Sequence, residues 1–264
     1  SINVLVTWNS GANWYCSGKL LVEPGGALKA DTYTHQYYIG PWYEDIMPTM
    51  INRGGDISAR HVTLQMQPYS AVSTWWLMTM AADMKMSDIK TLYPNTPFVI
   101  KRYDSQARAT GDFAHTWHTV GPDETLRAGE GFFFRHDYAV ARNEYGEWTR
   151  QDRCDLFFPS EEGANTYVFR SDDVTLPLAD SRGEFEHNRG WNLVGNPWLS
   201  YFDILHLQTE QPIFVYRGNN GFDVVSPLDD DFVLRPLQGF FIQYTEAQPT
   251  LTFGQVGRQV HATI

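Results

Sequence analysis

The chain has 264 residues, a formal net charge of -11, and 42% hydrophobic, 19% charged and 15% aromatic residues. This composition excludes intrinsic disorder, collagen and coiled coil, and a chain of this length buries roughly 70–75% of the surface it exposes when unfolded. With 20 basic residues against 31 acidic ones, nucleic acid and anionic membranes are excluded as expected partners; no apolar run approaches the roughly 18–20 residues of a membrane span, so the chain is read as not membrane-spanning.

In chain order, Ile2-Asn3-Val4-Leu5-Val6 already alternates like a strand in progress, with no basic and apolar leader before it. The expectation is a piece of a longer chain. Gly18 to Leu28 sets a short strand against a Pro24-Gly25-Gly26 turn, a spacing that suits the end of a β-solenoid or a sandwich edge. Ile57 to Met66 alternates faces as a strand. Residues 1–70 are therefore read as an N-terminal β segment. Val72 to Met86 is the best window for a helix, but it begins with β-branched and Trp residues. Two cysteines, Cys16 and Cys154, cannot close a zinc site. They are either two buried thiols or a disulfide, whose long loop would be worth ~4–5 kcal/mol.

From there the chain repeats itself. Trp76, Asp88 and Ile89 recur 115 residues later as Trp191, Asp203 and Ile204. The same offset carries Pro97 to Arg102 onto Pro212 to Arg217. After a length change of seven residues, Arg127…Gly131-Phe132-Phe133 matches Arg235…Gly239-Phe240-Phe241. Short β-branched and aromatic runs, separated by turns such as Gly121-Pro122-Asp123 and Gly218-Asn219-Asn220-Gly221, make both copies β. Asp88 and Asp203 are placed to open single helical turns as N-caps. They are also the carboxylates to which Arg127 and Arg235 would pair. The predicted fold is all-β: two tandem β-sandwich, jelly-roll-like modules over 71–165 and 166–264, behind the N-terminal segment.

Trp191-Asn192-Leu193-Val194-Gly195-Asn196-Pro197, then Asp203-Ile204 and Pro236-Leu237-Gln238-Gly239-Phe240-Phe241, resemble the "WNLVGNP" modules of large exported and surface proteins of Bacteroidetes bacteria. The first copy resembles a sister version through Trp76, Tyr103-Asp104, Trp117 and Ala128-Gly129-Glu130-Gly131-Phe132, with Ala81-Ala82 in place of Asn196-Pro197. The resemblance covers roughly residues 75–260. It implies export and an extracellular or outer-surface location, and it says little about activity, because such modules accompany adhesin-like, repeat-bearing and enzyme-bearing chains.

The chemistry-bearing residues are sparse. No G-x-S-x-G, H-E-x-x-H or P-loop pattern occurs. His115 and His118 would point to opposite sides of a strand. Asp229-Asp230-Asp231 is a candidate Ca²⁺ site without the spacing of a dedicated calcium loop. No other cofactor is expected. Trp14, Trp42, Tyr43 and Trp148 lie among Gly, Asn, Pro or charged residues and are candidates for an aromatic glycan platform; core packing is the competing role for such rings. The sequence thus predicts a non-catalytic, surface-exposed module serving structural support, adhesion or glycan binding, with a glycan or a host or cell-surface ligand as partner. A carbohydrate-active enzyme, or an accessory domain of one, is the alternative.

Overall fold

The structure is a computed structural model and describes residues 12–16, 18–37, 47–66, 75–91, 98–137, 139–151, 154–158, 167–217 and 221–262. The described residues are mostly strand, with one short α-helix and a few 3-10 turns among them. The all-β reading holds.

The N-terminal segment contains β1 (Ala12–Cys16), β2 (Lys19–Val22), β3 (Ala27–Tyr37), β4 (Thr49–Asn52) and β5 (Asp56–Met66). β1, β3 and β5 pair in parallel, as do β2 and β4. Parallel neighbours need crossover connections, and here the opposite small sheet supplies them. The turns are set by local chemistry. Gly25 and Gly54 take φ of 82° and 109°, a region closed to most side chains. The Asn52 Oδ1 accepts from the amides of Gly54 and Gly55 at 3.1 and 2.7 Å, an Asx turn.

The first repeat contains β6 (Trp76–Met78), β7 (Met84–Lys85), β8 (Lys90–Thr91), β9 (Phe98–Tyr103), α1 (Ser105–Ala109), β10 (Trp117–Thr119), β11 (Thr125–Leu126), β12 (Phe132–His136), β13 (Ala139–Arg142), β14 (Trp148–Gln151) and β15 (Cys154–Phe158). Over its described part, the window read as the best helix candidate holds two strands, β6 and β7. One sheet runs β10-β9-β12-β6; β11 pairs β7. β15 pairs antiparallel with both β5 and β8, so the parallel N-terminal sheet continues into the first repeat without a break. Cys16 is a free, buried thiol. β1, which carries it, stands three strand positions from β15, ~14 Å at sheet spacing and far beyond disulfide reach.

The remaining strands are β16 (Tyr167–Val168), β17 (Val174–Pro177), β18 (Trp191–Gly195), β19 (Tyr201–Asp203), β20 (Leu207–Gln208), β21 (Ile213–Tyr216), β22 (Phe222–Val225), β23 (Val233–Leu234), β24 (Gly239–Gln243), β25 (Thr250–Phe253) and β26 (Arg258–Gln259). Their sheets run β22-β21-β24-β18, β17-β25-β20 and β23-β19-β26. Read in chain order, the first of these has the same strand order as β10-β9-β12-β6. Likewise β5-β15-β8 corresponds to β17-β25-β20, and β7-β11 to β19-β23.

The registers correct the predicted alignment. β12 on β6 sets Phe133 opposite Leu77 and Phe134 opposite Trp76. β24 on β18 sets Phe241 opposite Leu193 and Ile242 opposite Asn192. With Phe133 and Phe241 equivalent, Leu77 matches Leu193, and Trp191 matches Trp75 rather than Trp76. A one-residue slip reverses the face on which a strand residue lies. Trp76 accordingly is 4% exposed in the core, while Trp75 and Trp191 are half-buried on the other face. In the β9 and β21 strands, Ile100 matches Ile213, since each pairs with the corresponding Phe134 or Ile242. Arg102 therefore corresponds to Val215, not to Arg217.

The capping expectation holds for one of two sites. Asp203 Oδ1 accepts from Leu205 N at 2.9 Å at the start of a 3-10 turn, whereas Asp88 ends its turn. Asp104 caps α1 through Ala107 N at 2.8 Å. Asn196 is fully buried; its Nδ2 donates to Ser200 O and Arg235 O at 2.7 and 2.9 Å and its Oδ1 accepts from Trp198 N at 3.2 Å. It braces the turn after β18. Arg235 stacks on the Trp76 ring at 4.8 Å.

Among the described residues two hydrophobic clusters form the interior. The larger joins the N-terminal segment and the first repeat, and it also takes in Leu199, Tyr201 and Leu237 from the second. The other is built from the second repeat, around Phe202, Ile213, Phe240 and Phe253. The repeats are stitched by backbone. Met78 bridges Gln238 and Glu130 bridges Val194. Thr79 N donates to Leu237 O at 3.0 Å and Gly195 N to Gly129 O at 2.9 Å. These two bonds join equivalent positions in exchanged roles, the mark of a local pseudo-twofold relationship.

Candidate functional site

Of the sequence-predicted site residues, Trp14, Trp148 and Asp229 to Asp231 are among the described ones. Trp14 is half-buried on β1 and packs against the larger core cluster. Trp148 projects from the β13–β14 hairpin, 66% exposed, with the Arg142 guanidinium 4.8 Å from its ring centre. Trp42 and Tyr43 lie outside the described residues. Asp229, Asp230 and Asp231 are all exposed in a turn. Asp230 Oδ2 accepts from Ser226 N at 2.6 Å, and Asp229 Oδ2 from Ser226 Oγ at 3.2 Å, so two of the three carboxylates are turned onto their own loop. Among the described residues no group of three or more His, Cys, Asp or Glu side chains converges as a metal site.

The structure instead gathers aromatic rings from both repeats. Alternation along β9, β12, β21 and β24 sends Ile100, Phe132, Phe134, Ile213, Val215, Phe240 and Ile242 into the cores. It sends Tyr103, Phe133, Phe214, Tyr216 and Phe241 to the opposite faces, where they are half-buried. Those faces meet. The Tyr103 and Phe241 rings are 5.0 Å apart, edge to face, and Phe133 and Tyr216 are 6.2 Å apart in the same manner. Trp117 stacks on Phe133 at 4.4 Å, and Phe222 leans on Phe241 at 5.9 Å. Trp75 contacts Phe133 at 5.7 Å and Trp191 contacts Phe241 at 6.5 Å. Each pair has its equivalent in the other repeat. Between the faces lies a groove of about 400 Å³, lined by these rings other than Trp75 and Tyr216, with Arg108 and Thr116. Burial pushes the Tyr103 hydroxyl up to about 12, so it stays neutral.

A second, polar cleft of about 710 Å³ lies between β9–β12 and the Leu176–Ala179 and Asn192–Val194 stretches. Arg102 dominates it. Its Nη1 is 2.5 Å from Glu124 Oε1, its Nε 2.8 Å from Glu130 Oε1, and its Nη2 donates to Thr125 O at 2.7 Å. His118 Nε2 stands 3.9 Å from Glu124. Two carboxylates side by side are what glycoside hydrolysis employs; here both are held by one guanidinium.

A third cluster is buried under the N-terminal sheet. His35 Nδ1 is 3.0 Å from the Tyr33 hydroxyl and Nε2 is 3.1 Å from Pro48 O. Burial lowers the His35 pKa to about 4 and raises those of Cys16 and Tyr33, so all three are neutral near pH 7.

The aromatic groove is not legible in the sequence, because its rings stand on strand faces that meet only in the fold. The sequence signal was the match of Phe133 with Phe241; Tyr103 matches Tyr216 only in the corrected register. No helix among the described residues is long and apolar enough to cross a membrane. No protein-family model, curated protein or solved structure gives a significant match to the chain.

Proposed function

We propose that the chain is a non-catalytic unit of an exported, surface-exposed bacterial protein of the Bacteroidetes type, serving structural support and ligand binding. In this reading it consists of two tandem β-sandwich modules behind an N-terminal parallel β segment. The observation that carries it is mechanical continuity. β1, β3 and β5 share one hydrogen-bonded sheet with β15 and β8, and the second repeat is tied to the first by backbone bridges and a shared core. Tension applied at the N-terminal strands is spread over the whole body instead of one linker.

The test is proteinase shaving of intact cells that produce the protein, together with polysaccharide incubation of the purified chain. The reading expects surface accessibility and no release of reducing sugar. A cell-interior location, or sugar release abolished by Glu124→Gln or Glu130→Gln, contradicts it. The second outcome would favour the carbohydrate-active enzyme, for which the paired Glu124 and Glu130 in the polar cleft are the supporting observation.

A further inference from the structure

We propose that the aromatic groove between the repeats is a binding site for a carboxylated sugar chain, one containing uronic acid units, with Arg108 as its anionic anchor. This rests on the reading of the chain as a binding unit. Most of these rings pack against the other repeat, and the groove is the part of their field that this packing leaves open. At about 400 Å³, the groove falls within the ~300–1,000 Å³ range of ligand sites. Because both repeats contribute rings to the lining, the field extends across both, which suits a chain more than a single small molecule.

Charge narrows the ligand class. Aromatic cages commonly hold cations, but among the described residues the one charged side chain lining this groove is itself a cation, Arg108. It stacks on Phe113 at 4.9 Å, and no ion pair engages it among the described residues. Nor does it belong to the duplicated scaffold. It sits on α1, inside the connection 104–116 between β9 and β10, whose counterpart between β21 and β22 spans only 217–221. The insertion is pinned to the second repeat. Gln106 Nε2 donates to Arg182 O at 2.6 Å and Gln106 Oε1 accepts from Arg182 N at 3.1 Å. The added segment therefore holds, beside an apolar trough, a guanidinium without a carboxylate partner among the described residues. A guanidinium takes a carboxylate through two parallel bonds, while the rings take the C–H face of the sugar.

An acidic peptide fits less well. The backbone groups of β9, β12, β21 and β24 are already spent on their own sheets, so an extended peptide lying on the rings gains no main-chain bonds.

The experiment is titration calorimetry on the whole chain with trigalacturonate, neutral cellotriose and hexaglutamate, using wild type, Arg108→Gln, Trp117→Ala and Trp148→Ala, each checked for folding by circular dichroism. Trigalacturonate is expected to bind at least about tenfold more tightly than cellotriose, a preference lost in Arg108→Gln. Trp117→Ala should lose both sugars and Trp148→Ala neither. Absence of trigalacturonate binding to wild type, an unchanged preference in Arg108→Gln, or tighter binding of hexaglutamate overturns the site. Because Arg108→Gln alters no core position, the test stands even if Trp117→Ala fails to fold. Cleavage of the trigalacturonate would instead contradict the non-catalytic reading and leave the site in place.

Discussion

Phe133 and Phe241 hold equivalent places on the two four-stranded sheets, and each meets the other sheet's tyrosine: Phe133 contacts Tyr216 at 6.2 Å and Phe241 contacts Tyr103 at 5.0 Å. The junction between the repeats is thus built from exchanged contacts. A double-mutant cycle on Tyr103→Leu and Phe241→Leu should give a coupling of ~0.5–1.5 kcal/mol, the usual worth of an edge-to-face pair beyond its area. Urea unfolding of the four proteins measures it. Simple additivity would mean the rings merely lie near one another.

Gly131 and Gly239 occupy equivalent points where one repeat's backbone crosses the other's. A Cβ on Gly131 would stand 2.6 Å from Leu193 Cγ and 2.9 Å from its carbonyl carbon; on Gly239 it would stand 2.8 Å from Met78 N. Gly131→Ala and Gly239→Ala should each destabilise by ~1–3 kcal/mol through overpacking. Gly18→Ala, with nothing within 4 Å of its Cβ, should stay within about 0.5 kcal/mol of wild type. Denaturant midpoints at constant slope report all three.

The tryptophans separate by face. Trp76→Ala should cost ~3–5 kcal/mol, the usual toll of emptying a large core site. Trp75→Ala and Trp191→Ala should cost about 1–2 kcal/mol, because each ring is only half-buried. Trp148→Ala, on an exposed hairpin, should change stability by less than about 0.5 kcal/mol. Equal losses for Trp76 and Trp191 would restore the alignment that the registers exclude.

How far the sequence was legible depends on the kind of signal. Glycine and phenylalanine at Gly131-Phe132-Phe133 and Gly239-Phe240-Phe241 announced the repeat, since close approach and strand burial admit few other residues. The tryptophans misled by one position because Trp75 and Trp76 are neighbours. Leu77 and Leu193, two residues beyond Trp75 and Trp191, held the correct phase. Pairing direction in the N-terminal segment was not readable, because parallel and antiparallel strands share the same alternation. The groove depends on two faces that meet only after folding, and Arg108 on a five-residue helix too short to show a 3.6-residue period.

Acid should weaken the fold through His35. Its pKa falls from 6.5 to about 4 in the folded chain because the ring is buried neutral. The unfolded chain therefore takes up a proton first as pH drops. The stability His35 contributes is complete above pH 6.5, declines as pH falls below it, and is gone near pH 4, a loss of about 3 kcal/mol. Urea unfolding at pH 7, 5.5 and 4 should show a smaller decline for His35→Gln than for wild type. Parallel declines would place the acid sensitivity in other groups.

The pseudo-twofold junction is tested most directly by paired cysteines. In a background with Cys16 and Cys154 replaced by alanine, Met78→Cys with Gln238→Cys, and Glu130→Cys with Val194→Cys, occupy the two symmetry-related backbone bridges, within disulfide reach. Under mild oxidation, peptide mapping by mass spectrometry should find both crosslinks formed to a similar extent. Formation of one without the other, or of neither in folded protein, would contradict the duplicated, cross-stitched architecture.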